Sequence, residues 1–138
     1  MKILGKFGRL WFDRRGGAAI EFAIVAPVFI GLLLGGVEFG RMYYVRQNLE
    51  YATEQAARYY SLNPGTSTTD VTSKFDGFLA GGLRSSTTVS YADATSCNGN
   101  AYVTCTTVTA SYPFSFTSSY LGFGPTTVTA RSKAVRQQ

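Results

Sequence analysis

Glu21 is the residue whose chemistry fits its place least well. It follows Arg14-Arg15-Gly16-Gly17-Ala18-Ala19-Ile20 and is succeeded at once by Phe22 and an apolar run. A carboxylate at the head of an apolar helix is costly unless headgroups or a cation neutralise it. Other groups capable of chemistry are few. The chain has no histidine, which excludes Ser-His-Asp and Cys-His catalysis and every His-ligated metal site. Asp70, Asp76 and Asp93 remain as acids for a hydrolase, but no partner motif accompanies them. No catalytic residue, cofactor or metal is therefore expected.

Cys97 and Cys105 flank Asn98-Gly99-Asn100, a strong turn sequence. In an oxidising compartment a disulfide closing this short loop is expected, with two inert thiols as the alternative.

The element that must carry Glu21 is a membrane helix. Phe22 to Val37 contains no charged residue, and extending it from Gly17 to Gly40 reaches spanning length. Pro27 inside it removes one backbone donor, which membrane helices tolerate. Gly31, Gly35 and Gly36 give a spacing that admits a second helix closely. Five basic residues precede the span, so the N-terminus should stay cytoplasmic and the remainder be exported. A cleaved secretory signal competes with this reading, but Gly36-Val37-Glu38-Phe39-Gly40 is a poor small-x-small cleavage site. An ordinary single-pass anchor explains the apolar run and its orientation, but not the spacing of Gly16, Glu21 and Phe22.

The net charge of +5 does not point to nucleic acid. Lys2, Lys6, Arg9, Arg14 and Arg15, with Asp13, lie before Gly17, and the rest of the chain carries only +1. The basicity is thus an orientation signal, and no basic stripe follows a phosphate backbone.

Beyond the span the helical pattern continues through Phe39, Met42, Val45, Leu49, Ala52, Ala56 and Tyr59, with Arg46, Glu50, Glu54 and Arg58 on a polar side. Asn63-Pro64-Gly65 ends it near Leu62. Tyr43 and Tyr44 read as an interfacial aromatic belt. Thr66 to Thr69 reads as a linker, and Asp70 to Leu79 as a short helix with Val71, Phe75, Phe78 and Leu79 on one side. Then the period becomes two. Strands are expected around Ser86–Tyr91, Ala101–Tyr112 and Thr126–Val135. The aromatic stretch Tyr112-Pro113-Phe114-Ser115-Phe116, with Tyr120-Leu121-Gly122-Phe123, should cover the sheet or form a contact patch.

From Arg15 to about Arg58 the chain resembles the TadE-like module of the tight-adherence (Flp) pilus system. The resemblance rests on Arg15-Gly16-Gly17, the Ala-Ile-Glu-Phe-Ala start, Ala26-Pro27 and Glu38-Phe39-Gly40-Arg41. It implies a class III leader over 1–16, cut by a prepilin peptidase between Gly16 and Gly17. Glu21 would then be fifth in the mature chain, with Phe22 beside it, as assembly and recognition residues. Glu21 would neutralise the new amine on a neighbouring subunit's Gly17, or simply reach the headgroups.

The implied fold is α+β and pilin-like: a long N-terminal helix packed on a small antiparallel sheet of about three strands. It divides into a transmembrane part over 17–40, a periplasmic continuation over 41–62, and a small periplasmic domain over 63–138. The implied role is that of a non-catalytic minor pseudopilin, in the bacterial inner membrane and with incorporation in the pilus as a further fate. Implied partners are the prepilin peptidase, the major Flp pilin, other minor pseudopilins, the inner-membrane assembly platform and membrane lipid. The alternative is a single-pass envelope protein whose periplasmic domain binds a ligand or partner.

Overall fold

The computed structural model describes residues 16–94, 97, 102–117, 122 and 124–137. Residues 1–15 of the expected leader, the turn Asn98-Gly99-Asn100, the strand start at Ala101 and the loop residues Tyr120, Leu121 and Phe123 lie outside the described residues. The chain divides into two compact units, one ending at Val37 and one running from Glu38 onward. A single helix, α1 (Gly17–Leu62), contributes to both.

In the first unit α1 is apolar and exposed on every side. Phe22, Leu32 and Val37 are 71%, 72% and 64% exposed, so nothing among the described residues covers them. Pro27 lies inside the helix without ending it. Among the described residues, α1 alone is long and apolar enough to cross a membrane.

The second unit is an α+β domain in which α1 packs on a three-stranded antiparallel sheet. Its elements are the rest of α1, then α2 (Thr68–Phe78), a short 3-10 turn over Arg84–Ser86, β1 (Thr88–Ala94), β2 (Val103–Phe114) and β3 (Thr126–Gln137). The strand order is β1-β2-β3. The pairing aligns Tyr91 with Val108 and Val108 with Ser132, and Ala110 with Val89 and Ala130. Alternation then puts Thr106, Val108, Ala110 and Phe114 of β2, with Val128, Ala130 and Ala134 of β3, on the buried face. Val45, Leu49, Ala52, Ala56, Ala57 and Tyr60 of α1 meet them in one core, joined by Val71 and Phe75 of α2. The expected helix stripe holds at Val45, Leu49, Ala52 and Ala56. It widens to Thr53, Ala57 and Tyr60, because α1 is covered by the sheet and α2 together.

The end of α1 is closed in detail. Asn63 donates from its side chain to the Tyr59 carbonyl at 2.8 Å, and Gly65 takes a φ of +86°, which suits glycine. Arg136 of β3 donates to the Tyr60 and Asn63 carbonyls at 2.9 and 2.6 Å. Its guanidinium lies 3.7 Å from the centre of the Tyr60 ring. A cation thus satisfies carbonyls that the last helical turn leaves open.

Helix α2 starts earlier than its apolar pattern indicates. Ser67 Oγ accepts from the Asp70 N–H at 3.2 Å and donates to Asp70 Oδ2 at 2.7 Å. Ser67 is therefore a helix cap rather than linker, and helix begins at Thr68. Tyr91 in β1 shares a 2.7 Å hydrogen bond with the Thr72 hydroxyl of α2. Burial pushes the Tyr91 phenol above its ordinary pKa, and the bond to Thr72 acts in the opposite direction.

Candidate assembly site

The residues singled out at the N-terminal end sit together at the start of α1. Gly16 is exposed and the α-helix begins at Gly17, so the Gly16–Gly17 bond lies at the helix boundary. Glu21 stands one turn beyond Gly17 on the same side of the helix, and Phe22 follows it. Glu21 and Phe22 are both exposed. A carboxylate, an apolar ring and an accessible bond between two glycines are thus presented outward. Gly31 and Gly35 lie one turn apart, and among the described residues a β-carbon placed on either would meet nothing beyond its own helix. That leaves room for a neighbouring helix at close range.

A second acid, Glu38, proves structural in a way its sequence position did not announce. It is 6% exposed at the start of the second unit. Its Oε1 accepts from the Thr117 backbone N–H at 3.1 Å, and its Oε2 pairs with Arg41 at 2.9 Å. Arg41 also donates to the Thr117 hydroxyl at 2.6 Å and lies 5.3 Å from the centre of the Phe114 ring. The Phe116 ring meets Phe114 and Phe39 edge-on, at 5.1 and 6.2 Å between centroids. The carboxylate is satisfied on both oxygens, so its burial is tolerated. The clasp ties α1 to the segment leaving β2 and fixes which face of the helix meets the sheet. The signal available in sequence was the i,i+3 pair Glu38 and Arg41 at the end of the apolar run. The same contacts show how the described part of the aromatic stretch is used. Phe114 is buried and Phe116 packs against the core.

Two of the three acids considered for hydrolysis make local structural contacts. Asp70 belongs to the Ser67 cap, and Asp93 accepts from the Thr106 hydroxyl at 2.6 Å across the β1–β2 pair. Among the described residues no group of three or more His, Cys, Asp or Glu side chains is placed to hold a metal ion.

Cys97 and Cys105 form a disulfide, with their α-carbons 5.3 Å apart. The Cys97 N–H also donates to the Val103 carbonyl at 3.1 Å. Closing so short a loop removes unfolded-state entropy worth about 2–3 kcal/mol. The double variant Cys97→Ser, Cys105→Ser is expected to lose about that much unfolding free energy in urea titration. A variant as stable as the parent would show that the bridge contributes nothing to stability.

Residues 16–58 match a family model described as TadE-like protein. The match begins at Gly16, takes in Glu21, Phe22, Glu38 and Arg41, and stops before α1 ends. No curated protein matches the chain. No solved structure matches it either.

Proposed function

We propose, from the membership of residues 16–58 in the TadE-like protein family, that this chain is a minor pseudopilin of a tight-adherence pilus. It acts by assembly rather than by catalysis. The observation that carries the reading is the placement of Gly16, Glu21 and Phe22 at the head of an exposed apolar helix, inside the matched segment.

In this reading the basic leader holds the N-terminus in the cytoplasm and α1 crosses the inner membrane. A prepilin peptidase hydrolyses the Gly16–Gly17 bond and leaves a cationic amine on Gly17. That amine meets a carboxylate from a neighbouring helix, which removes two uncompensated charges from a low dielectric and selects one register between helices. Gly31 and Gly35 let the helices approach, so van der Waals packing supplies the remaining attraction. The domain from Glu38 onward stands in the periplasm, where its disulfide is chemically at home. Its contacts are with the major pilin, with related minor subunits and with the assembly platform.

A bulky residue at Gly16 would obstruct a site shaped for glycine. Gly16→Val is expected to insert normally and to accumulate as the uncut precursor. The check is an immunoblot of membrane fractions from cells expressing the prepilin peptidase. Normal maturation of Gly16→Val would place the cut elsewhere and remove the basis for the pseudopilin assignment. An anchored envelope protein with a binding domain would then be the better reading.

A further inference from the structure

β3 is an edge strand, because the sheet order is β1-β2-β3. Near its end the Val135 N–H leaves the sheet and donates to Ser61 Oγ of α1 at 3.1 Å. Alternate residues of a strand direct their backbone groups to the same side. Lys133, Arg131, Thr129 and Thr127 therefore also turn their N–H and C=O groups to the open edge. Pro113 agrees with this geometry. It pairs with Thr127, at a position where no bond crosses to β3, and its nitrogen faces the side where β1 has already ended at Thr88.

At Thr126–Thr129 the open edge forms one wall of a groove of about 570 Å³. Phe39, Met42, Tyr43 and Arg46 of α1 form the other wall.

We propose that this groove accepts an extended, acidic segment of a partner protein, which adds to β3 as a fourth strand. Amides and carbonyls that repeat every second residue, and that are unpaired among the described residues, match an extended backbone and match neither a lipid chain nor a helix. Side chains on one face of the added strand would meet Phe39 and Met42. Those on the other face would lie beside Arg131 and Lys133, which are exposed on the outer face of β3. Neither makes an ion pair among the described residues, and β3 contains no acid. Arg46 adds a third cation, held among the described residues by an exposed 2.8 Å pair with Glu50 that a competing carboxylate can replace. The same charges disfavour a second copy of β3, since like charges would face each other across the new pair. The edge therefore rejects its own kind while it admits an acidic strand.

The inference stands apart from the pilus reading, because the full chain with its leader intact presents the same edge. The test uses that full chain in a neutral detergent and a fluorescent synthetic peptide alternating valine with glutamate. A valine–lysine peptide and micelles doped with anionic phospholipid serve as competitors. Binding of the glutamate peptide alone is expected, with amide-exchange protection gained at Thr127 and Thr129. Thr129→Pro removes an outward N–H and spares the β2 ladder. It should weaken binding at least ~10-fold with the melting temperature unchanged. The double variant Arg131→Glu, Lys133→Glu should reverse the preference toward the lysine peptide, which keeps the test informative if the proline variant does not fold. Equal binding of both peptides, no peptide binding, undiminished binding to a folded Thr129→Pro, or displacement by anionic lipid would each overturn the proposal.

Discussion

Glu21→Ala is expected to insert in the membrane and be cut after Gly16, yet to enter pilus assemblies roughly two to three and a half orders of magnitude less well than the parent. The estimate comes from the ion pair. Removing one member of a pair in low dielectric leaves the other charge uncompensated, at a cost of about 3–5 kcal/mol. Each 1.4 kcal/mol is about tenfold in an equilibrium. Here the stranded charge would be the amine on a neighbour's Gly17. Glu21→Gln retains the shape and loses the charge, so it should be impaired nearly as much. Co-purification of tagged variants with the major pilin, in cells carrying the whole pilus system, measures the effect. If Glu21 merely reaches the headgroups, both variants will assemble like the parent, and the charge-pairing role is wrong.

Phe75→Ala is expected to cost about 3–5 kcal/mol of stability, the usual loss when a fully enclosed aromatic ring is removed. Phe75 is 0% exposed and lies where α2 meets the core. A small domain has roughly 5–15 kcal/mol in total, so this single change removes a large share. Phe78 provides the contrast. It is 41% exposed, and its ring rests edge-on to Tyr51 with centroids 6.2 Å apart. Phe78→Ala should cost about 1 kcal/mol or less. Urea titration followed by near-ultraviolet circular dichroism distinguishes the two. Equal losses would mean that α2 packs on the core differently from the geometry described.

The two aromatic residues also illustrate what sequence can and cannot show. Periodicity placed Val71, Phe75, Phe78 and Leu79 on one side of a helix, and three of the four are buried. Phe78 is the exception because it lies at the edge of that face, where Tyr51 covers it only in part. The long helix was legible because its breaks are unambiguous: an uninterrupted apolar run, then a period of three and four, then Asn63-Pro64-Gly65. Strand existence was legible from Val, Thr and Tyr alternation, but the limits of strands were not. β1 runs from Thr88 to Ala94 rather than starting at Ser86, since Arg84–Ser86 forms a turn of 3-10 helix. Pairing order and register depend on contacts between distant segments, and no local pattern encodes them.

The candidate site at the head of α1 stands out in the sequence for a different reason. Glu21 violates the local rule that apolar helices exclude carboxylates, and such violations point to function. Glu38 violates the same rule, but its explanation lies 79 positions away at the Thr117 N–H. Sequence spacing showed only its near partner, Arg41. The groove beside β3 was not legible at all. It exists because an edge strand and one face of α1 happen to be neighbours, and strand order decides that.

We propose that this chain is processed and assembled as a pseudopilin. The most direct test is the intact mass of the membrane-extracted protein together with its N-terminal sequence. A chain that begins Gly17-Ala18-Ala19-Ile20-Glu21 is the predicted result. A chain that retains Met1 in cells with an active prepilin peptidase, or one cut near Gly40, would contradict it.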